Sequence, residues 1–130
     1  MIVINWPNET IIEFIKKICE HISKDEFFYL EKNGFFEVSK AGDIRRSILE
    51  YLDGDHINSK NLKKINTPSR DYIEKNCQIF ELNPKLPSEN AKKIDYDFMI
   101  DGKKSDLTMI FRVYYENGLY NIKIYDALTL

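Results

Sequence analysis

The sequence predicts an α+β fold in which N-terminal helices pack on one face of an antiparallel β-meander formed mainly by the C-terminal third. Two observations carry this prediction. Lys92 to Ile100, Ser105 to Glu116 and Leu119 to Asp126 are strand-like runs joined by Asp101-Gly102-Lys103-Lys104 and Asn117-Gly118. Asn-Gly between alternating apolar runs is a strong hairpin signal, because a type I′ turn needs φ > 0 at both central residues. Upstream, Ile11, Phe14, Ile15, Ile18, Cys19 and Ile22 recur at helical spacing.

Each element has a local reason. Ile2 to Ile4 reads as a short strand. Asn8 or Thr10 is a cap for the first helix, with Thr10-Ile11-Ile12-Glu13 as a capping box and an end near Ser23. Phe27 to Leu30 and Phe35 to Val38 flank Asn33-Gly34, which fits either a second hairpin or a turn leading into a helix. Ser39 is the expected cap of a helix over Ala41 to Leu52, with Gly54 just past its end. Thr67-Pro68 predicts a short helix to Lys75, proline taking the first position. Gln78 to Leu82 reads as a strand and Asn83 to Asn90 as a loop.

The two meander turns assign the same faces independently. Asn117-Gly118 sets Tyr115 opposite Tyr120, Val113 opposite Ile122 and Phe111 opposite Ile124. A four-residue turn at Asp101 sets Phe98 opposite Leu107, Tyr96 opposite Met109 and Ile94 opposite Phe111. A slip of one residue would turn every side chain over, so the agreement supports the register. These residues form the expected core face. The other face carries Asp95, Asp97, Met99, Thr108, Ile110, Arg112, Tyr114, Asn121, Lys123 and Tyr125. Arg112 faces Lys123 there, which calls for a nearby acid such as Asp97.

The 130 residues suit one domain, and 43% hydrophobic with 31% charged residues is a globular composition. A net charge of -2 excludes the strong basic excess of a general nucleic-acid binder. Residues 61–93, with four acids and seven bases, form a modest basic stretch between acidic ends. The N-terminus lacks a signal-peptide pattern, and no apolar run approaches the ~20 residues of a membrane span, so a cytoplasmic location is expected. Cys19 and Cys77 are expected as reduced, buried thiols.

Chemistry-bearing motifs are few. Cys19 and His21 are two apart and do not share a helix face, so they are no zinc pair. Asp53-Gly54-Asp55-His56 lacks the ligand series of a calcium loop. Gly102-Lys103-Lys104-Ser105 lacks the upstream glycine of a phosphate loop, position 97 being Asp. Asp95 and Asp97 share a face, but an open sheet face offers no cleft for acid–base work. The sequence therefore predicts no enzyme, no metal and no cofactor.

Asp101-Gly102-Lys103-Lys104-Ser105-Asp106-Leu107-Thr108 and Tyr125-Asp126-Ala127-Leu128-Thr129-Leu130, with the helix ending in Tyr51-Leu52-Asp53-Gly54, resemble a group of uncharacterised bacterial domains. The chain departs from that group in having no tryptophan in the sheet and no histidine near its end. More broadly, the small, cysteine-poor chain resembles the immunity proteins of bacterial contact-dependent growth inhibition systems. That resemblance implies a toxin-binding partner, commonly a nuclease domain, with no nucleic acid and no membrane. Asp95, Asp97, Ile110, Arg112, Tyr114, Lys123 and Tyr125 are the expected toxin-binding residues, and Asp53 with Asp55 the alternative surface. The competing expectation is a ligand-binding or enzymatic pocket between helices and sheet, lined by Tyr96 and Tyr115 with Asp126 pointing inward at its edge.

Overall fold

A computed structural model describes residues 9–37, 39–54, 56–81, 90–116 and 119–129. The expected strand at Ile2 to Ile4, the Asn83 to Asn90 loop and the Asn117-Gly118 turn lie outside these residues, apart from Asn90 itself. The helices are α1 (Glu9–Ser23), α2 (Phe27–Lys32), α3 (Ala41–Asp53) and α4 (Arg70–Lys75), with a 3-10 helix over Ser59–Lys64. The strands are β1 (Cys77–Glu81), β2 (Asn90–Ile100), β3 (Lys103–Glu116) and β4 (Leu119–Thr129). They form one antiparallel sheet in the order β1-β2-β3-β4, so the α+β class holds.

The helix boundaries correct several expected caps. α1 opens at Glu9, which places Thr10 inside the first turn; the other expected cap, Asn8, lies outside the described residues. Glu9 instead pairs with Arg70 of α4. The run Phe27 to Leu30 is helical, not a hairpin strand. Phe27 and Leu30, three apart, are both buried, which suits a helix face. Asp25, at φ 56, reverses the chain after α1, and Gly34, at φ 75, follows the Asn33 C-cap. Ser39 also lies at positive φ, 62, so Lys40 takes the cap position of α3 without a side-chain bond. Gly54 ends α3 as expected, donating its N–H to Glu50 O at 2.9 Å. For α4 the cap is Ser69, whose hydroxyl accepts from Tyr72 N, so Thr67-Pro68 precedes the helix instead of opening it.

In the sheet, Tyr115↔Tyr120, Val113↔Ile122, Phe111↔Ile124, Tyr96↔Met109 and Ile94↔Phe111 pair as the sequence predicts. The first turn is shorter than expected. Asp101 and Gly102, at φ 51 and 78, form a two-residue turn, and Ile100 pairs with Lys103. A two-residue shift between Asp97 and Met99 then restores the predicted register, and Phe98 has no direct partner. Ser105 patches that gap: its hydroxyl donates to Phe98 O at 2.7 Å and accepts from Leu107 N at 3.3 Å.

The helices cover the face of Ile94, Tyr96, Phe98, Met109 and Phe111, which are all fully buried. Phe14 of α1 meets Phe111 edge-on at 5.5 Å, and Tyr72 of α4 meets Tyr96 at 6.0 Å. Two stretches of the sheet's margin have partners. Beyond β1, the edge of β2 is met by Asn66 N donating to Met99 O and Lys64 O accepting from Asp101 N, each at 2.9 Å. On β4, Phe35 O and Glu37 N bracket Ile124 at 2.8 and 2.9 Å. Such pairing protects edges from adventitious strand addition. Among the described residues no helix is long and apolar enough to cross a membrane.

Candidate functional site

The outer sheet face is built in rows, because alternate residues of a strand share a face. One row runs Phe80, Lys93, Arg112, Lys123 across all four strands in register. The next runs Gln78, Asp95, Ile110, Asp126, and a third runs Asp97, Thr108, Leu128. The face is therefore polarised into a cationic row beside an acidic region.

The cationic row is held apart by aromatic rings. Lys93 Nζ stands 5.1 Å from the Phe80 ring centroid, and Arg112 Cζ stands 3.8 Å from that of Tyr125. Lys40 Nζ approaches the same Tyr125 ring at 5.3 Å. Tyr114 donates its hydroxyl to Glu37 Oε1 at 3.2 Å, and hydrogen bonding to Tyr114 raises the Arg112 pKa. The acid that offsets Arg112 is thus on the Phe35–Glu37 side of the sheet, not the expected Asp97. Asp97 is engaged elsewhere: Thr108 Oγ1 donates to its Oδ1 at 2.7 Å, and Lys104 Nζ lies 3.5 Å from Oδ2.

The acidic region is concave, where the sequence predicted an open face. A recess of 240 Å³ is lined by Gln78, Asp95, Asp97, Lys104, Asp106 and Thr108. The shorter turn and the β2–β3 irregularity move Lys104 and Asp106 beside the two β2 aspartates. Gln78 arrives through the β1–β2 pairing, which no turn motif announces. Among the described residues no three His, Cys, Asp or Glu side chains are grouped to hold a metal ion.

The predicted contact residues fall on this face, with two corrections. Asp95 and Ile110 are 8% and 7% exposed, because each occupies an interior strand and is flanked on both sides. Asp97, Arg112, Tyr114, Lys123 and Tyr125 remain half-exposed. Asp126 reverses its expected orientation. The register shifts by one between Ile110 and Phe111, leaving Tyr125 as an extra residue on β4. Asp126 consequently pairs with Ile110 on the outer face, while Ala127 takes the buried position opposite Met109. A bulge of this kind changes side-chain parity without a residue change that marks it.

That reversal removes the polar group expected at the edge of an internal pocket. Tyr96, its other expected lining residue, is fully buried between Tyr72 and Phe98. The side chain of Tyr115 lies outside the described residues. Elsewhere, His21 accepts a structural role, 3.1 Å from Glu26 Oε1 and stacked on Tyr29 at 4.5 Å. Asp53, in the alternative surface, organises the turn after α3 by accepting from Asn58 N at 2.7 Å and Asn61 Nδ2 at 2.5 Å. Asp55 lies outside the described residues.

The chain matches no protein-family model, no curated protein and no solved structure.

Proposed function

We propose that the protein is a cytoplasmic immunity protein that binds and neutralises a cognate bacterial toxin domain, a basic nuclease, through the outer sheet face. The observation that carries this reading is the polarised face itself. A carboxylate-lined recess and a row of Lys93, Arg112 and Lys123 with Tyr114 and Tyr125 lie on one hydrogen-bonded sheet. Paired positive and negative areas fix orientation and speed encounter with a partner of opposite pattern. Arginine and tyrosine are the residues that anchor such contacts. A rigid sheet also presents them with little ordering cost on binding.

The test is calorimetric titration with the C-terminal domain of the protein encoded immediately upstream of this gene. Tight binding is expected for the unaltered chain. Asp97→Lys and Arg112→Glu are each expected to weaken it by on the order of 10-fold or more, the scale of losing a charge-assisted contact. Affinity unchanged in both variants would remove this face from the interaction.

A further inference from the structure

On the outer face two cations oppose each other with no acid to offset them directly. Arg112 and Lys123 are register partners on β3 and β4. Side chains directly opposite on an antiparallel ladder are ~5 Å apart at Cβ, and like charges there are destabilising. Lys40 adds a third charge, since its Nζ and the Arg112 guanidinium both lie against the Tyr125 ring. Among the described residues none of the three forms an ion pair with a carboxylate. Glu37, the acid that acts on Arg112, is engaged by the Tyr114 hydroxyl.

The Arg112 side chain is also set up to receive an anion. With Cζ 3.8 Å from the Tyr125 centroid, the flat face of the guanidinium meets the ring. That contact leaves the N–H groups, which lie around the edge of the plane, for other partners. The ring also restricts the side chain in advance, so less conformational freedom is lost on binding. Arg112 and Lys123 are both half-exposed, within reach of an incoming group.

We propose that Arg112, Lys123 and Lys40 form a carboxylate-binding site that takes an Asp or Glu side chain of the bound protein partner, a reading that rests on the protein-binding function above. A carboxylate accepts two parallel N–H bonds from one guanidinium. Its charge also offsets the opposition of Arg112 and Lys123. Nucleic acid fits this row less well. Its bases stack on uncovered aromatic rings, whereas Lys93 covers Phe80, and Arg112 with Lys40 covers Tyr125. Its phosphates would also run beside Asp95 and Asp126 of the adjoining row, ~7 Å away along the strands. A partner that is basic overall must therefore carry an acid where it meets β3 and β4.

The proposal is tested by NMR titration of the full-length labelled chain with acetyl-Gly-Glu-Gly-amide, following the Arg112 Nε–H signal. The glutamine analogue and a short oligothymidylate are titrated in parallel at equal ionic strength. The glutamate peptide is expected to shift the Arg112 Nε–H and the amides of Lys123 and Tyr125 saturably, and the glutamine peptide to shift none of them. The oligonucleotide should bind no tighter than the glutamate peptide. Arg112→Gln should weaken the peptide about 10-fold. Lys123→Gln should weaken it too while raising the urea midpoint, because the like charge opposite Arg112 is gone. Lys32→Gln, exposed on α2, should change neither. No response to the glutamate peptide, an equal response to both peptides, or undiminished binding by both Arg112→Gln and Lys123→Gln would overturn the proposal. Tighter binding of the oligonucleotide would overturn it in favour of a nucleic-acid surface. Each of these results leaves the upstream-encoded domain free to bind elsewhere on the sheet. Failure of that domain to bind, with the peptide response retained, would instead count against the immunity reading.

Discussion

Arg112 Cζ lies 3.8 Å from the centroid of the Tyr125 ring, although the two residues are not register partners. Arg112 pairs with Lys123, a like charge, and the extra residue of the β4 bulge supplies the ring that shields it. A cation over an aromatic ring at a partly exposed site contributes about 0.5–1 kcal/mol. A double-mutant cycle of Arg112→Ala and Tyr125→Ala, read by urea unfolding, should return a coupling of that size. Arg112→Lys should lose part of it, because an ammonium stacks less well than a guanidinium. A coupling near zero would show that the contact does not stabilise the bulge.

Ser105 makes a similar repair inside the sheet. Its hydroxyl stands in for the ladder bonds missing beside Phe98, donating to Phe98 O and accepting from Leu107 N. Ser105→Ala removes both and leaves half-buried backbone groups without partners, at a cost of about 1–2 kcal/mol. Ser105→Thr keeps the hydroxyl and should recover most of the loss. Thermal unfolding of the two variants checks this; equal melting temperatures for Ser105→Ala and the unaltered chain would refute it.

Those two irregularities also explain what could be read in advance. α1 was legible because six apolar residues recur on one stripe, and helical periodicity survives errors of a residue at the ends. The β2–β3 faces were legible despite a misjudged turn. The turn is two residues shorter than expected, and the compensating shift is also two residues, so parity is conserved. Asp126 was not legible, since the Tyr125 bulge is one residue and reverses parity. Phe27 to Leu30 fits a helix or a strand over so short a run, and packing against the core decided it. The recess needs Gln78, Asp97 and Asp106 together, and their meeting depends on long-range pairing and on that irregularity.

Gly102 provides a sharper local test. With φ 78 it lies in the left-handed region, yet nothing stands within 4 Å of where a Cβ would be. Gly102→Ala should therefore cost only the backbone strain, about 1–2 kcal/mol. Asp101, at φ 51, already occupies the other left-handed position. Asp101→Asn should be neutral or slightly stabilising, because asparagine favours the first position of a type I′ turn. Chemical denaturation of both variants separates the two effects. A Gly102→Ala cost near zero would mean that the turn relaxes into another type.

Cys19 and Cys77 should make stability fall at alkaline pH. Burial pushes each thiol up from 9.0 to about 12. In the unfolded chain both thiols lose their protons near the ordinary value, whereas the folded chain keeps them. Above pH ~9 the unfolded state therefore binds fewer protons, and the stability of folding declines with rising pH by about 1.4 kcal/mol per unit for each thiol. The contribution is fully present below pH ~8.5 and is lost as pH rises toward 12. Tyr72 and Tyr96, also raised by burial, steepen the decline at the upper end of that window. Urea midpoints at pH 8, 9.5 and 11 should fall in sequence. In Cys19→Ala the slope between pH 9.5 and 11 should be smaller, even though the variant is less stable at pH 8 through its cavity. The same burial predicts that neither thiol reacts with a disulfide reagent in the folded chain at pH 8, and that both react once urea unfolds it. Rapid labelling of native Cys19 would show that α1 opens locally, well below the global unfolding transition.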